Sequence, residues 1–71
     1  MYGKILKAVR KQAGLTQEEM AWHLHSNQAS ISKYENDRLQ LDVQSFVKWM
    51  QVTNAEAVGA ALIFGVELTS E

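Results

Sequence analysis

The sequence predicts an all-α fold of five short helices. Apolar residues recur at spacings of three and four, as on one side of a helix, and no stretch shows the alternation of a half-buried strand. Capping residues and glycines separate the apolar stretches. A chain of 71 residues fits one compact domain. We predict a helical domain over residues 1–66 and a C-terminal tail over residues 67–71.

The composition limits how this domain is held together. A core of this size contributes only about 3–5 kcal/mol to the stability of the fold. The chain has no cysteine, so neither disulfides nor cysteine zinc sites can add to that stability. His23 and His25 are too few to hold a structural metal alone. The longest apolar stretch, residues 57–66, is about half of a membrane span, and no secretory leader opens the chain. We therefore expect a cytoplasmic protein without a metal or cofactor.

The charge is unevenly distributed along the chain. The net charge is −1, but residues 1–38 carry +2 and residues 39–71 carry −3. The local field decides which partners approach a surface. The first half could therefore still bind a polyanion.

The first two helices have clear start and stop signals. Helix one is predicted from about residue 2 or 4 to residue 13, and Gly14 can end it in the left-handed conformation. Thr16 then begins helix two, because Glu19, three residues later, completes a capping box. Ala21 in this helix is small enough to let another helix cross closely.

The third helix, predicted from Gln28 to about Asn36, has an unusual outer side. It follows a three-residue turn and can be capped by Asn27. Only two large apolar side chains, Ile31 and Tyr34, are available for burial. The opposite side is small or hydrogen-bonding, with a single charge, and consists of Gln28, Ala29, Ser32 and Lys33. A helix that merely faces solvent would carry more Glu and Lys.

Two further helices complete the domain. Asp42 is the expected cap of helix four, in which an apolar stripe is formed by Val43, Phe46, Val47 and Met50. Trp49 flanks this stripe and is expected in the core. Thr53 and Glu56 repeat the capping-box pattern, so that helix five is predicted over residues 54–64.

Helices two and three, joined by a tight turn, form the arrangement of a helix-turn-helix unit. The second helix of such a unit enters the DNA major groove, where base edges are read, and therefore needs an outer face without bulk. Gln28 can bond an adenine edge in bidentate fashion, and Ala29 can touch a thymine methyl group. Lys33 can reach a guanine or a phosphate.

The stretch GLTQEEMAWHLHSNQASISKYEN resembles the lambda-repressor-like helix-turn-helix family, also called the Cro or XRE family. Its members are phage and bacterial transcriptional regulators, with some antitoxins. The resemblance covers residue 4 to about residue 64 and implies a compact five-helix DNA-binding domain. The matching positions are Arg10, Gly14, Leu15, Thr16, Gln17, Ala21, Leu24, Ser30, Ile31, Ser32, Glu35 and Asn36.

The resemblance also implies roles for individual residues. The base-reading positions are Gln28, Ala29, Ser32 and Lys33. The positions that contact phosphates are Gln17, Ser30, Asn36 and Arg38. Arg10 and Glu35 match a buried ion pair between helix one and the end of helix three, which is also plausible physically because Arg10 lies at the edge of an apolar stripe.

Three residues depart from the family pattern. His25 and Asp37 stand where glycine is usual, so backbone strain is expected at His25, whereas Asp tolerates left-handed angles better. Ser26 replaces an apolar residue in the turn. These substitutions leave the motif intact.

Helix five is apolar on nearly all sides and needs cover on more than one of them. We therefore predict a homodimer formed through Ile63, Phe64 and Val66.

The function predicted is a sequence-specific DNA-binding regulator, a phage or bacterial repressor, that binds double-stranded DNA at a near-palindromic site. The alternative is a protein-interaction module of the same fold, such as an antitoxin or phage adaptor, with a partner bound through Trp22 or the tail. No arrangement of residues indicates an enzyme.

Overall fold

Five α-helices make up most of residues 2–64, the part of the chain that the computed structural model describes; side chains are described up to Leu62. The helices are α1 (Gly3–Gln12), α2 (Gln17–His23), α3 (Gln28–Glu35), α4 (Val43–Val52) and α5 (Glu56–Phe64). No strand occurs within this range, and the predicted all-α class is confirmed. None of the described helices is long and apolar enough to cross a membrane.

The starts of α2 and α3 follow the predicted caps. The Thr16 hydroxyl accepts a hydrogen bond from the Glu19 amide at 3.0 Å, and the Glu19 carboxylate accepts one from the Thr16 amide at 2.8 Å. This is the reciprocal capping box. At the start of α3, the Asn27 side chain accepts a bond from the Ser30 amide at 2.8 Å. Asp42 occupies the N-cap position of α4, but its side chain makes no cap hydrogen bond.

The first four helices end in the same turn. In each, the second residue beyond the helix cap donates its amide to the carbonyl five residues earlier, as the Schellman motif requires; an example is Leu15, which bonds the Arg10 carbonyl at 3.1 Å. The residue before it adopts a positive φ. The four such residues are Gly14 (φ 78°), His25 (54°), Asp37 (59°) and Asn54 (56°). The left-handed conformations predicted at Gly14 and His25 are confirmed.

The predicted capping box at the start of helix five is wrong. The Thr53 hydroxyl donates instead to the Trp49 carbonyl at 2.9 Å, within the last turn of α4. Thr53 is buried and forms the C-cap of α4, and Asn54 supplies the left-handed residue after it. As a result, α5 begins at Glu56 and not at Asn54.

The apolar stripe predicted along α4 is only partly buried. Val43 is 74% exposed and Val47 is 40% exposed, whereas Met50 lies in the core. Trp49, expected in the core, is fully buried, and its indole N–H donates to the Leu6 carbonyl of α1 at 3.1 Å. The buried side of α4 is therefore turned toward Trp49 and away from the two valines.

The core includes Ile31 of α3, and both α1 and α2 pack against this helix. The buried apolar residues are Leu6, Val9, Met20, Ala21, Ile31, Trp49 and Met50. Gly3, at the start of α1, lies against the Glu35 carbonyl so closely that a Cβ atom there would overlap it. The Gly3 amide also donates to the Asp37 carboxylate at 3.0 Å. The end of α3 is thus fixed to the start of α1.

Candidate nucleic-acid interface

The outer side of α3 is open to solvent. Gln28, Ala29 and Lys33 are exposed, and Ser32 is half-buried. The side of α3 that bears Ile31 and Glu35 is buried in the domain. The four residues predicted to read bases therefore share one accessible helix face, and Lys33 is the one charged residue among them. Its side chains are small or flexible, as entry into a major groove requires.

The residues predicted to contact phosphates flank this face. Arg38 is exposed just after α3, and Ser30 is half-buried in its first turn. Asn36 caps the helix, and its side-chain amide donates to the Ser32 carbonyl at 2.8 Å and lies 3.4 Å from the Ser32 hydroxyl. Its amide nitrogen is therefore engaged with α3, although the residue is exposed.

Arg10 and Glu35 form a buried, bidentate ion pair. Arg10 Nε lies 2.6 Å from Glu35 Oε2, and Arg10 Nη2 lies 3.1 Å from Glu35 Oε1. Arg10 is 6% exposed and Glu35 is 5% exposed. The remaining guanidinium nitrogen, Nη1, donates to the Leu15 carbonyl at 2.7 Å. The pair ties α1 to both the turn before α2 and the end of α3.

Gln17 joins this ion pair to the outer face of α3. Its side-chain nitrogen donates to Glu35 Oε1 at 3.0 Å, and its side-chain oxygen accepts a bond from Gln28 Nε2 at 2.6 Å. Gln17 is half-buried, while Gln28 is exposed. The structure therefore brings together Arg10, Glu35, Gln17 and Gln28 in one hydrogen-bonded chain from the core to the surface.

The sequence does not predict this hydrogen-bonded chain. It predicts that Gln17 contacts phosphate and that Gln28 reads a base, without indicating that the two side chains bond each other. They are 11 residues apart and meet because α2 and α3 pack against each other. The only signal available was that both are amides at the first position of neighbouring helices. Gly3 was also missed, since a glycine near a chain start carries no sign that another helix end lies against it.

Trp22 lies exposed on α2. Its side chain is 76% exposed, and its ring meets the ring of His23 edge-on, with 5.1 Å between the centroids. A cleft of about 450 Å³ lies on a different surface, lined by Tyr2, Leu39, Val43, Phe46 and Leu62 among others. None of the predicted DNA-contact residues lines it. The described residues contain no group of three or more His, Cys, Asp or Glu that could hold a metal ion.

The predicted dimer contacts fall outside the described residues. Ile63 and Phe64 belong to the last turn of α5, but their side chains are not among those described, and neither is Val66.

The fold and the open face of α3 define a helix-turn-helix domain, in which α2 and α3 are the two helices of the unit. The chain matches the model of the family described as "Helix-turn-helix domain" over residues 3–69, and it belongs to that family. No curated protein and no solved structure matches the chain.

Proposed function

We propose that this protein is a sequence-specific DNA-binding regulator of the lambda-repressor-like type, a repressor from a phage or a bacterium. The observation that carries the proposal is the polar face of α3, which is exposed while the opposite side is buried. Gln28, Ala29, Ser32 and Lys33 on this face read base edges in the major groove. Gln17, Ser30, Asn36 and Arg38 contact phosphates and fix the register.

The proposed complex depends on two copies of the chain. The total charge is −1, and the Arg10 charge is paired with Glu35, so that Lys33 and Arg38 are the cations on or beside the exposed face of α3. A single domain then has a modest affinity for DNA. In a dimer that pairs through Ile63, Phe64 and Val66, the α3 helices of the two copies lie about 34 Å apart on a near-palindromic site. The apolar composition of α5 supports this proposal.

Selection of bound sites from a random duplex library tests the proposal directly. We expect a consensus with two half-sites and binding that weakens steeply with salt. On the selected site, Gln28→Ala should cost about 1–3 kcal/mol and relax one base position. Arg38→Ala should weaken binding to all sequences alike and lower the salt slope by about 1. Fluorescence anisotropy measures both effects.

Gln51→Ala provides the matched control, since Gln51 is an exposed glutamine on α4. It should leave affinity and base preference unchanged. A uniform loss for both Gln28→Ala and Arg38→Ala would contradict the base-reading role.

Trp22 favours a second candidate, a protein-interaction module with the same fold. Tryptophan is enriched among the anchors of protein interfaces, and this one is 76% exposed. Glu18 and Glu19 lie one turn before it and make this side of α2 acidic. An absence of binding to random duplex DNA at both low and moderate salt would favour this function over the first.

A further inference from the structure

Exposed apolar side chains are concentrated around one cleft of the domain. Among the described residues, the large apolar side chains that remain exposed are Tyr2, Trp22, Leu39, Val43 and Val47. Tyr2, Leu39 and Val43 line the cleft of about 450 Å³, and Val47 lies one turn further along α4. A contiguous apolar patch on the surface of a domain marks a place where another group binds.

The walls of this cleft come from four parts of the chain. Leu6 belongs to α1, Leu39 to the segment between α3 and α4, Phe46 to α4 and Leu62 to α5. Asp37 is the one charged residue among the described residues that line it. Such walls suit an apolar side chain better than a charged group, which would lose its hydration there.

The chain itself has an apolar side chain within reach of this cleft. Leu62 is a wall residue, and the sequence after α5 continues as GVELTSE. Leu68 in this stretch follows Leu62 by six residues, a length that can span up to about 20 Å. Gly65 between them allows the chain to turn back. The match to the family model extends to residue 69 and so includes Leu68.

A segment of the same chain has an advantage over a separate molecule. Its effective concentration at the cleft is about millimolar because the connection is short. In an extended segment, Glu67 and Thr69 point to the side opposite Leu68. Leu68 can therefore enter the cleft while the Glu67 carboxylate stays in water, away from Asp37.

We infer that residues 67–69 pack into this cleft of their own domain, with the Leu68 side chain beside Leu39 and Val43. Val66 is left for the proposed dimer. The inference goes beyond the proposed function, since it requires neither DNA nor a second copy. Bound in this way, the tail connects α5 with α1 and with the segment after α3 that carries Arg38.

Leu68→Glu in the full chain tests the contact. The burial of Leu68 stabilises the folded domain, so this variant should lower the melting temperature by about 4–12 °C. Thr69→Glu is the matched control, because it adds the same charge to the side of the segment that faces water. It should change the melting temperature by less than about 4 °C. An unchanged melting temperature for Leu68→Glu would overturn the inference.

Val43→Glu tests whether Leu68 binds in this cleft. Val43 is 74% exposed, so its replacement lowers the melting temperature only if another group covers it. Either single variant releases the tail, so the double variant Val43→Glu/Leu68→Glu should melt at about the temperature of the less stable single variant. Gln44→Glu is the control, because it adds a charge to the same turn of α4 outside the cleft, and it should melt like the wild type. Additive effects of Val43→Glu and Leu68→Glu would overturn the contact.

A disulfide shows which molecule fills the cleft. The chain has no cysteine, so Val43→Cys/Leu68→Cys introduces a single pair, which can be joined only if the two Cα atoms approach within about 7 Å. Mild oxidation should join the pair within one chain at least about ten times faster than in the control Gln44→Cys/Leu68→Cys. Mass spectrometry and a non-reducing gel measure both rates. A disulfide between two chains would assign the cleft to a second copy and overturn the inference, as would equal rates for the two pairs.

Discussion

Glu35 serves several partners at once. Its two carboxylate oxygens accept bonds from Arg10 and from Gln17, and its backbone carbonyl lies against Gly3. Every buried polar side-chain atom among the described residues has a hydrogen-bond partner. Removal of the Glu35 carboxylate would therefore leave hydrogen-bond donors of Arg10 and Gln17 without their acceptor. The same carboxylate therefore affects both the stability of the domain and the geometry of its proposed DNA-reading face.

Removing Glu35 should cost much more than removing an exposed glutamate. Glu35→Ala leaves the Arg10 charge buried and unpaired, a change that typically costs about 3–5 kcal/mol. The melting temperature should fall by more than about 12 °C in thermal denaturation followed by circular dichroism.

The matched control is Glu18→Ala, because Glu18 is exposed in the first turn of α2. It should change the free energy of unfolding by no more than about 0.5 kcal/mol. Equal melting temperatures for the two variants would contradict the importance of the buried pair.

At the scale of elements, the same type of turn follows each of the first four helices. Four consecutive helices finish with a left-handed residue, yet only the first of these residues is glycine. An L-residue in this conformation is strained by roughly 1–2 kcal/mol, less for Asn and Asp, which bond locally. His25 has no such relief and carries the highest expected strain of the four. Of these four turns, the one between α2 and α3 therefore has the least favourable backbone conformation.

His25→Gly should stabilise the domain. Glycine removes the strain at φ 54° but gives up about 0.5–1 kcal/mol of conformational entropy. The net gain should be about 0.5–1 kcal/mol, seen as a rise in the melting temperature of about 2–8 °C.

Ser26→Gly is the control for this change. Ser26 follows directly and does not have a positive φ, so the variant adds flexibility without relieving strain. It should lower the melting temperature or leave it unchanged. A fall for His25→Gly as well would show that the histidine side chain contributes more than its backbone costs.

The sequence predicted those elements that depend on local chemistry. The Thr16–Glu19 capping box, the Asn27 cap and the end of α1 at Gly14 each involve residues within one turn, so the pattern carries the information. Thr53 and Glu56 show the same pattern but form no box. The difference is that Thr53 caps the end of α4, and its hydroxyl bonds back to the Trp49 carbonyl. Local spacing alone cannot distinguish the two cases.

The other predictions that failed, and the contacts that the sequence does not predict, involve contacts between helices. Val43 and Val47 share a stripe with Met50, but which side of α4 is buried depends on where α1 and α3 lie. The contact of Gln17 with both Glu35 and Gln28 likewise exists only once α2 and α3 have packed. Sequence could therefore place the residues of the candidate interface on one face without revealing how they are connected.

At the scale of the whole molecule, the proposed binding to DNA depends on the proposed dimer. The net charge of the domain is −1, so that its total charge does not attract DNA. In the proposed dimer, a second copy would double the number of base and phosphate contacts and impose a fixed spacing between the half-sites. Regulation of the assembly would then regulate binding.

Ile63→Glu should abolish the proposed dimer and leave the monomer folded. A charge placed in an apolar contact between copies is costly to bury. Analytical ultracentrifugation should show the wild type sedimenting as a dimer and the variant as a monomer, with unchanged helical content by circular dichroism.

Val43→Glu makes the same kind of change on an exposed site of α4 and should leave the dimer intact. If Val43→Glu dissociates the dimer and Ile63→Glu does not, the interface lies on α4 and the proposed contact through α5 is wrong.

The two tryptophans differ in their exposure to solvent and can therefore serve as two intrinsic fluorescent probes. Trp49 is enclosed beside Tyr34, whereas Trp22 is in contact with water. Their emission spectra should therefore differ in wavelength and in accessibility to a soluble quencher. With Trp22→Phe, the remaining fluorescence would follow unfolding alone, and with Trp49→Phe it would report on whatever approaches α2, without any attached dye.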